Sequence, residues 1–194
     1  MNILVISDIH GSAAALKTTL DSFPDFDMLL LCGDYLNHGP RNPLPDGWNP
    51  KETAAILNAN AEKIACVRGN CDSEVDEMVL SFPCLASYTN IFLPPRPGQS
   101  GENPNRIFVH HGHLYDREKL SSWLPPNTLV VSGHTHVTVL EKDNGLVYFN
   151  PGSISLPKCG DGKTCGLIRT DERGVSEIRL CSIGGETLRT MSFQ

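Results

Sequence analysis

Short apolar runs alternate with helix-like segments in the first part of the chain, and this alternation restricts the possible folds. Three runs have the length and composition of buried strands, and three intervening or following segments have helical patterns. Strands that alternate with helices form parallel sheets with right-handed crossovers. The predicted strands are 2–7, 27–33 and 63–69, and the predicted helices are 12–20, 49–61 and 72–82.

Cap residues support two of these helices. Ser12 is a good N-cap for the first helix, and Asn49 followed by Pro50 begins the second. The second half of the chain reads instead as short strands with hairpin turns at 143–145 and 171–174. These strands are 87–93, 106–112, 128–134, 137–143, 146–150, 165–170, 175–181 and the tail.

These elements predict a single domain over residues 1–194, an α/β fold of two packed sheets with helices outside. A turn-rich loop is expected at 94–105. The length of 194 residues suits one domain with a sizeable core.

Composition excludes several function classes. The net charge is -6 and no Lys/Arg cluster appears, so a nucleic-acid partner is not expected. The longest apolar run, 28–32, is too short to span a membrane. No signal peptide is visible, and the 7 cysteines form no CxxC pair, which favours reduced thiols in the cytoplasm. Cys159 and Cys165 are expected to be a chance pair on a surface loop rather than a zinc site.

Polar side chains follow five of the predicted strands, at the point where each strand ends. Ligands in open α/β sheets collect beyond the carboxyl ends of the strands, and residues i and i+2 of extended backbone point to the same side. These residues are Asp8, His10, Asp34, Asn70, His111, His134 and His136.

Each of these motifs alone has a simpler explanation. An Asp-x-His pair is often part of an N-cap, a lone histidine in an apolar strand is often a core residue, and a Gly-Asp pair is often a turn. Independent caps and turns do not place this many ligand atoms at successive strand ends. The sequence therefore predicts a metal site, and its mixed nitrogen and oxygen ligands suit Mn, Fe, Co, Ni or Zn rather than Mg or Ca.

The ordered motifs resemble those of the calcineurin-like metallophosphoesterase superfamily. They are D-x-H at 8–10, GD at 33–34, GNCD at 69–72, HGH at 111–113 and GHTH at 133–136. The segments 33–45, 67–76 and 149–158 further resemble small bacterial phosphodiesterases of the YfcE type. The resemblance runs from residue 1 to about residue 158. It implies a four-layer αββα sandwich of two mixed sheets flanked by helices, with a dinuclear metal site.

The resemblance also implies a ligand set and a reaction. One metal would take Asp8, His10, Asp34 and His136, and the other Asp34, Asn70, His111 and His134, with Asp34 bridging. Two divalent transition-metal ions are therefore expected, with Mn first and Fe, Co, Ni or Zn as alternatives. A hydroxide bridging the two ions would attack the phosphorus of a small phosphate diester.

Further residues are candidates for contact with the substrate. Arg41 is predicted to hold a phosphate oxygen and His38 to donate a hydrogen bond or a proton, although both could belong to an ordinary exposed loop. His113 is predicted either to contact substrate or to support the metal ligands.

Cys71 stands where many members of the superfamily have a histidine that assists the leaving group. A neutral thiol is a poor acid, so slow cleavage of unactivated esters is expected. The catalytic residues predicted are Asp34, Asn70, Cys71 and His113. Asp72 is expected to orient the turn.

Other functions remain open. A phosphomonoesterase could use the same dinuclear site, and the same fold also serves as a non-enzymatic protein-binding scaffold in related families. A nuclease is disfavoured by the acidic charge balance. A homo-oligomer is compatible with the sequence.

Overall fold

The computed structural model describes residues 1–93 and 103–193, and these residues form two β-sheets with helices on the outer faces. The strands are β1 (Asn2–Ile6), β2 (Met28–Leu31), β3 (Ile64–Cys66), β4 (Tyr88–Phe92), β5 (Arg106–His110), β6 (Thr128–Val131), β7 (Val139–Asp143), β8 (Leu146–Asn150), β9 (Thr164–Asp171), β10 (Gly174–Ser182) and β11 (Thr187–Ser192). The helices are α1 (Ala13–Ser22), α2 (Pro50–Asn58), α3 (Glu74–Glu77) and α4 (Arg117–Trp123), with a 3-10 turn at Ala61–Lys63.

Both sheets mix parallel and antiparallel pairing. The first has the order β11-β10-β9-β1-β2-β3, in which β1, β2 and β3 are parallel and the other pairs are antiparallel. The second has the order β4-β5-β6-β8-β7, with β5, β6 and β8 parallel and β4 and β7 antiparallel to their neighbours. The parallel strands occupy the centre of the second sheet and one end of the first.

Alternating apolar side chains divide the molecule into four layers. In β1, Ile3 and Val5 lie in the core between the sheets, together with Ile107 and Val109 of β5. The intervening Leu4 and Ile6 pack in a second core with side chains of α1 and α2. A third core joins the outer face of the second sheet to α4. The predicted four-layer αββα sandwich is confirmed.

The predicted helix starts are also confirmed. The Ser12 side chain accepts a hydrogen bond from the backbone N–H of Ala15 (3.3 Å), and the Asn49 side chain accepts one from Glu52 (3.1 Å). Pro50 is the first residue of α2. These local signals decide the helix starts because they satisfy N–H groups that have no partner within the helix.

One prediction about a helix was wrong, and one helix was not predicted. The segment 72–82 is not one helix, since α3 covers only Glu74–Glu77. The Asn58 side chain donates to the carbonyl of Val79 and accepts from the N–H of Ser81, and these bonds hold the chain in a non-helical path. Helix α4 was not predicted, although Asp116 accepts a hydrogen bond from Lys119 and is a good N-cap.

The cysteines do not form disulfides, and all seven are free. Cys159 is partly buried, but Cys165 lies in β9 and is fully buried. The prediction that both lie on a surface loop was therefore wrong for Cys165, which faces Cys181 across the β9–β10 pair.

In the predicted loop at 94–105, residues 94–102 lie outside the described residues. No helix in the described ranges is both long and apolar enough to cross a membrane.

The two sheets approach each other closely at Gly166. This residue pairs with Val5 where β9 meets β1. A Cβ atom at this position would lie 2.4 Å from ring atoms of Phe149, which belongs to β8 of the opposite sheet. Glycine is therefore needed here for the sheets to pack.

We predict that Gly166→Ala lowers the free energy of unfolding by about 1–3 kcal/mol, the usual cost of overpacking a core. Denaturant unfolding measures the change. Gly160→Ala is the matched control, because an added Cβ there meets nothing within 4 Å. Equal stability of the two variants would contradict the close approach of the sheets.

Candidate metal centre

The seven predicted ligands lie in loops that follow five strands and come together at one end of both sheets. Asp8 and His10 follow β1, Asp34 follows β2, and Asn70 follows β3. The remaining three, which follow strands of the second sheet, are His111, His134 and His136. The centre thus draws its residues from both sheets.

The ligand atoms form three overlapping groups. Atoms of Asp8, His10 and His136 lie within 4.8 Å of one another, and so do atoms of Asp8, Asp34 and His111 and atoms of His10, Asp34 and Cys71. Asn70 and His134 complete the cluster: the Asn70 Oδ1 atom lies 2.7 Å from His134 Nδ1 and 3.2 Å from His111 Nε2. The structure therefore brings all seven predicted residues together.

The backbone at these residues has an unusual conformation. Five of them have positive φ angles although none is glycine: Asp8 (54°), His10 (48°), Asp34 (58°), His134 (69°) and His136 (58°). Such conformations cost about 1–3 kcal/mol each and cluster at functional sites. The sharp turns direct side chains from separate strand ends into one centre.

Asp8 shows most directly that the centre fits a cation. Its carboxylate is fully buried, and its Oδ2 accepts hydrogen bonds from Ser7 Oγ (2.6 Å) and the His134 N–H (3.0 Å). Its Oδ1 has no hydrogen-bond partner among the described residues. The Nε2 atoms of His136 and His10 lie 3.2 and 3.7 Å from this oxygen. A buried carboxylate oxygen facing imidazole nitrogens is stabilised by a positive ion between them.

Three of the histidines are held in the orientation that a metal ligand needs. Each places its Nδ1 atom against a backbone carbonyl, which fixes a proton on Nδ1 and turns Nε2 toward the carboxylates. The three pairs are His10 with Asn37 (2.8 Å), His111 with Cys32 (2.6 Å) and His136 with Leu156 (2.5 Å). Burial lowers the pKa of His10 and of His134, which favours the neutral imidazole that binds metals.

Asp34 lies near histidines that follow strands of both sheets. Its Oδ2 is 3.3 Å from His111 Nε2 and 3.7 Å from His10 Nε2, while its Oδ1 accepts a hydrogen bond from the Cys71 N–H (2.8 Å). Burial opposes ionisation, but the hydrogen bond with His111 and the positive charge of that ring lower the pKa of Asp34 to about 2. The carboxylate is therefore ionised, and its Oδ2 atom lies near both His10 and His111.

The carboxylates also attract positive charge to His111. Burial alone would lower its pKa, but the hydrogen bond to Asp34 and the charge of Asp8 raise it to about 9. The two buried carboxylates thus draw a positive charge into the centre. This preference agrees with a site built for cations.

Two glycines allow the close packing around the carboxylates. A Cβ atom at Gly69 would lie 2.1 Å from Asp34 Oδ1, and one at Gly133 would lie 1.9 Å from Ser7 Oγ and 2.8 Å from Asp8 Oδ2. Any side chain at either position would displace a carboxylate of the centre.

Asp72 holds two of the strand ends in place. Its side chain is 1% exposed and accepts three backbone hydrogen bonds, from Asp34 (2.8 Å), Tyr35 (2.8 Å) and Gly69 (2.6 Å). It thus connects the loop after β2 with the loop after β3, as expected for a residue that orients the turn.

Two supporting residues were not predicted from the sequence. Ser153 and Ser155 donate hydrogen bonds to the carbonyl of Asp8 (2.8 and 2.9 Å). These two hydrogen bonds hold the loop after β1 in place. Their segment, 149–158, was noted only for its resemblance to phosphodiesterases, because serines in a loop carry no specific signal.

A cavity of about 780 Å³ opens over the centre. Its lining residues are Asp34, Asn37, Gly39, Pro40, Arg41, Asn42, Asn70, Cys71, His134, Thr135, His136 and Lys158. Arg41 and Cys71 were predicted to be near the substrate, whereas Lys158 was not. His38 and His113 are not among the lining residues. The His38 ring packs edge-on against Trp48, and the exposed His113 ring lies 5.3 Å from that of His111.

Comparison with known proteins agrees with this geometry. The sequence model of the calcineurin-like phosphoesterase superfamily domain matches residues 1–173. The chain belongs to the calcineurin-like phosphoesterase superfamily. It is 42% identical over 185 residues to the phosphodiesterase YfcE of Escherichia coli strain K12, which covers 94% of this chain and 95% of that protein.

Solved structures show the same superfamily fold. The structure of YfcE, described as a phosphoesterase from E. coli, has a TM-score of 0.87 at 37% identity and covers 100% of both chains. A zinc complex of Vps29 from Entamoeba histolytica has a TM-score of 0.64 at 20% identity and also covers 100% of both chains. The likeness to Vps29 shows the fold alone.

We predict that Asp72→Asn lowers both stability and metal content. An amide offers one acceptor oxygen, so at least one of the three N–H groups loses its partner, at a cost of about 1–3 kcal/mol. Denaturant unfolding and metal analysis of the purified protein measure the two effects. Glu74→Gln makes the same carboxylate-to-amide change at an exposed residue nearby. A result for Asp72→Asn no different from this control would contradict the assigned role.

Proposed function

We propose that this chain is a metal-dependent phosphodiesterase that hydrolyses small phosphate diesters with two divalent transition-metal ions as cofactors. The observation that carries the proposal is the position of Asp34, whose carboxylate lies near both His10 and His111. The activity is supported by membership of the phosphoesterase superfamily and by the identity to YfcE.

The proposed ligand sets are those that the family resemblance implies. One ion would be held by Asp8, His10, Asp34 and His136, and the other by Asp34, Asn70, His111 and His134. Manganese is the proposed ion, and Fe, Co, Ni or Zn suit the same nitrogen and oxygen donors. Two such ions, when bound, supply Lewis-acid polarisation of the phosphate and an acidified water as nucleophile.

The side chains around the ions would position the substrate. Arg41 lines the cavity, and its guanidinium suits a phosphate oxygen. His113, beside His111, is proposed to contact substrate or to support the ligands. For His38 the contact with Trp48 favours a supporting role in the loop that carries Arg41 over the predicted contact with substrate.

Cys71 limits the acid catalysis that the centre can provide. Burial, assisted by the negative charge of Asp34, raises the pKa of its thiol to about 12. A thiol with this pKa holds its proton and is a weak acid near neutral pH. We therefore propose that aryl esters, whose leaving groups need no proton, are cleaved faster than alkyl esters.

Two alternative functions are less well supported. A protein-binding scaffold of this fold need not keep a complete ligand set, whereas all seven residues are present and clustered in this chain. A phosphomonoesterase remains the main enzymatic alternative, and substrate preference separates it from a diesterase.

We also propose that the protein is cytoplasmic, since all seven cysteines are free. We propose no nucleic-acid partner. A homo-oligomer stays a prediction.

We predict that removal of metal with a chelator abolishes hydrolysis and that Mn restores it. Asp34→Ala should lower the content of both ions and remove nearly all turnover, because Asp34 would belong to both ligand sets. Metal analysis by mass spectrometry and a diester assay measure these effects. Asp21→Ala is the control, since Asp21 is an exposed carboxylate at the end of α1. An Asp34→Ala variant that loses one ion and keeps a substantial rate would contradict the shared role.

We predict that kcat/KM for bis(p-nitrophenyl) phosphate exceeds that for p-nitrophenyl phosphate by about tenfold or more, a difference of the size that one well-placed contact produces. The two substrates share a leaving group, so the comparison isolates the choice between diester and monoester. A panel of divalent metals, with each substrate assayed in each metal, provides the measurement. A higher value for the monoester would support the phosphomonoesterase instead.

A further inference from the structure

Two cationic side chains, Arg41 and Lys158, line the cavity over the metal centre. Several other cations are paired: Lys163 with Asp46, for example, at 3.4 Å. Within residues 1–93 and 103–193, neither cavity cation has an ion pair with a carboxylate. Unpaired cations in a polar cavity indicate an anionic ligand.

The loop that carries Arg41 is fixed to the metal centre. His10 donates a hydrogen bond from Nδ1 to the carbonyl of Asn37 (2.8 Å), and Asn37 Oδ1 accepts from the N–H of Gly39 (2.8 Å). Asn42 closes the turn with hydrogen bonds to the carbonyls of Gly39 and His38 (3.3 and 2.8 Å). The loop therefore holds its shape relative to a metal-ligating histidine.

The segment that carries Lys158 is fixed in a similar way on another part of the rim. The N–H of Lys158 donates to the carbonyl of His136 (3.0 Å), and His136 Nδ1 donates to the carbonyl of Leu156 (2.5 Å). Residues 156–158 thus run beside a second metal-ligating histidine. Each of the two cations is carried by backbone that is hydrogen-bonded to the centre.

The number of cations exceeds what the scissile group needs. A phosphate diester carries a single negative charge, and this charge would already face the metal ions and Arg41. The cavity of about 780 Å³ is large enough for a drug-sized ligand, so it can hold substituents well beyond the reacting phosphorus. The ammonium of Lys158 then has no anionic partner unless the substrate carries a second negatively charged group.

We propose that Lys158 binds a second phosphate group of the substrate, one that is not hydrolysed. The substrate class is a phosphodiester that carries an additional phosphate, and this assignment rests on the proposed function. Lysine suits the role because its ammonium is a point charge with three donors that can follow a phosphate. Lys158 was not predicted from the sequence, since one lysine after a proline gives no signal of proximity to a metal centre.

Two matched substrates test the proposal. Both are 5′-(p-nitrophenyl phosphate) esters of thymidine, one with a free 3′-hydroxyl and one with a 3′-phosphate. With the Mn-loaded protein we expect kcat/KM to be about tenfold higher for the 3′-phosphate substrate, mainly through KM, as for one charge-assisted hydrogen bond. Lys158→Ala should reduce this ratio to about 1 and Lys158→Arg should preserve it, while added salt should lower it in the parent protein.

Two further variants separate Lys158 from its neighbours. Lys163→Ala removes a lysine of the same loop that lies outside the cavity lining and is paired with Asp46, and it should leave the ratio unchanged. Arg41→Ala should lower kcat/KM for both substrates by the same factor, because Arg41 is assigned to the scissile phosphate that they share.

The outcomes distinguish the proposal from the function on which it rests. Hydrolysis of both substrates with no preference for the 3′-phosphate would overturn the second phosphate site and leave the phosphodiesterase intact. A preference that survives in Lys158→Ala would overturn the role of Lys158. No hydrolysis of either substrate with any metal of the panel would overturn the proposed function and the further site together.

Discussion

The burial of two carboxylates at the meeting point of both sheets is the constraint on which the rest of the structure depends. Asp8 is fully buried and Asp34 is 2% exposed, and among the residues that the structure describes no lysine or arginine forms an ion pair with either. Unpaired buried carboxylates are costly unless a cation or several donors stabilise them. The histidines, the serines that hold the Asp8 loop and the side chain of Asp72 all serve this requirement.

The same constraint explains the unusual backbone around the centre. A carboxylate and an imidazole can reach one point from adjacent strand ends only where the chain turns sharply, and positive φ angles at Asp8, His10 and Asp34 provide these turns. The strained residues persist because neighbouring hydrogen bonds fix them from both sides. Fold and site are thus not separable, since Gly69 and Gly133 in the loops of the centre leave the room that the carboxylates occupy.

The sequence was sufficient for the architecture and for the clustering of the ligands, because both follow from local periodicity and from the parallel arrangement of strands. It was insufficient where a distant contact decides the outcome. Hydrogen bonds to the Asn58 side chain hold part of the predicted helix at 72–82 in a non-helical path. Lys158 lines the cavity, and its backbone N–H donates to the carbonyl of His136, 22 residues away along the chain. No pattern of nearby residues encodes contacts of this kind.

The origin of the ligands in both sheets has a thermodynamic consequence. Loops after β1, β2 and β3 belong to one sheet and loops after β5 and β6 to the other, so each of the two proposed ions would take ligands from both sheets and connect them at their common end. The unfolded chain cannot assemble such a set, and a ligand that binds only the folded state adds RT ln(1 + [L]/Kd) to its stability. The stability of the packing between the two sheets therefore depends on the concentration of free metal. The melting temperature, measured as a function of that concentration, reports the metal affinity.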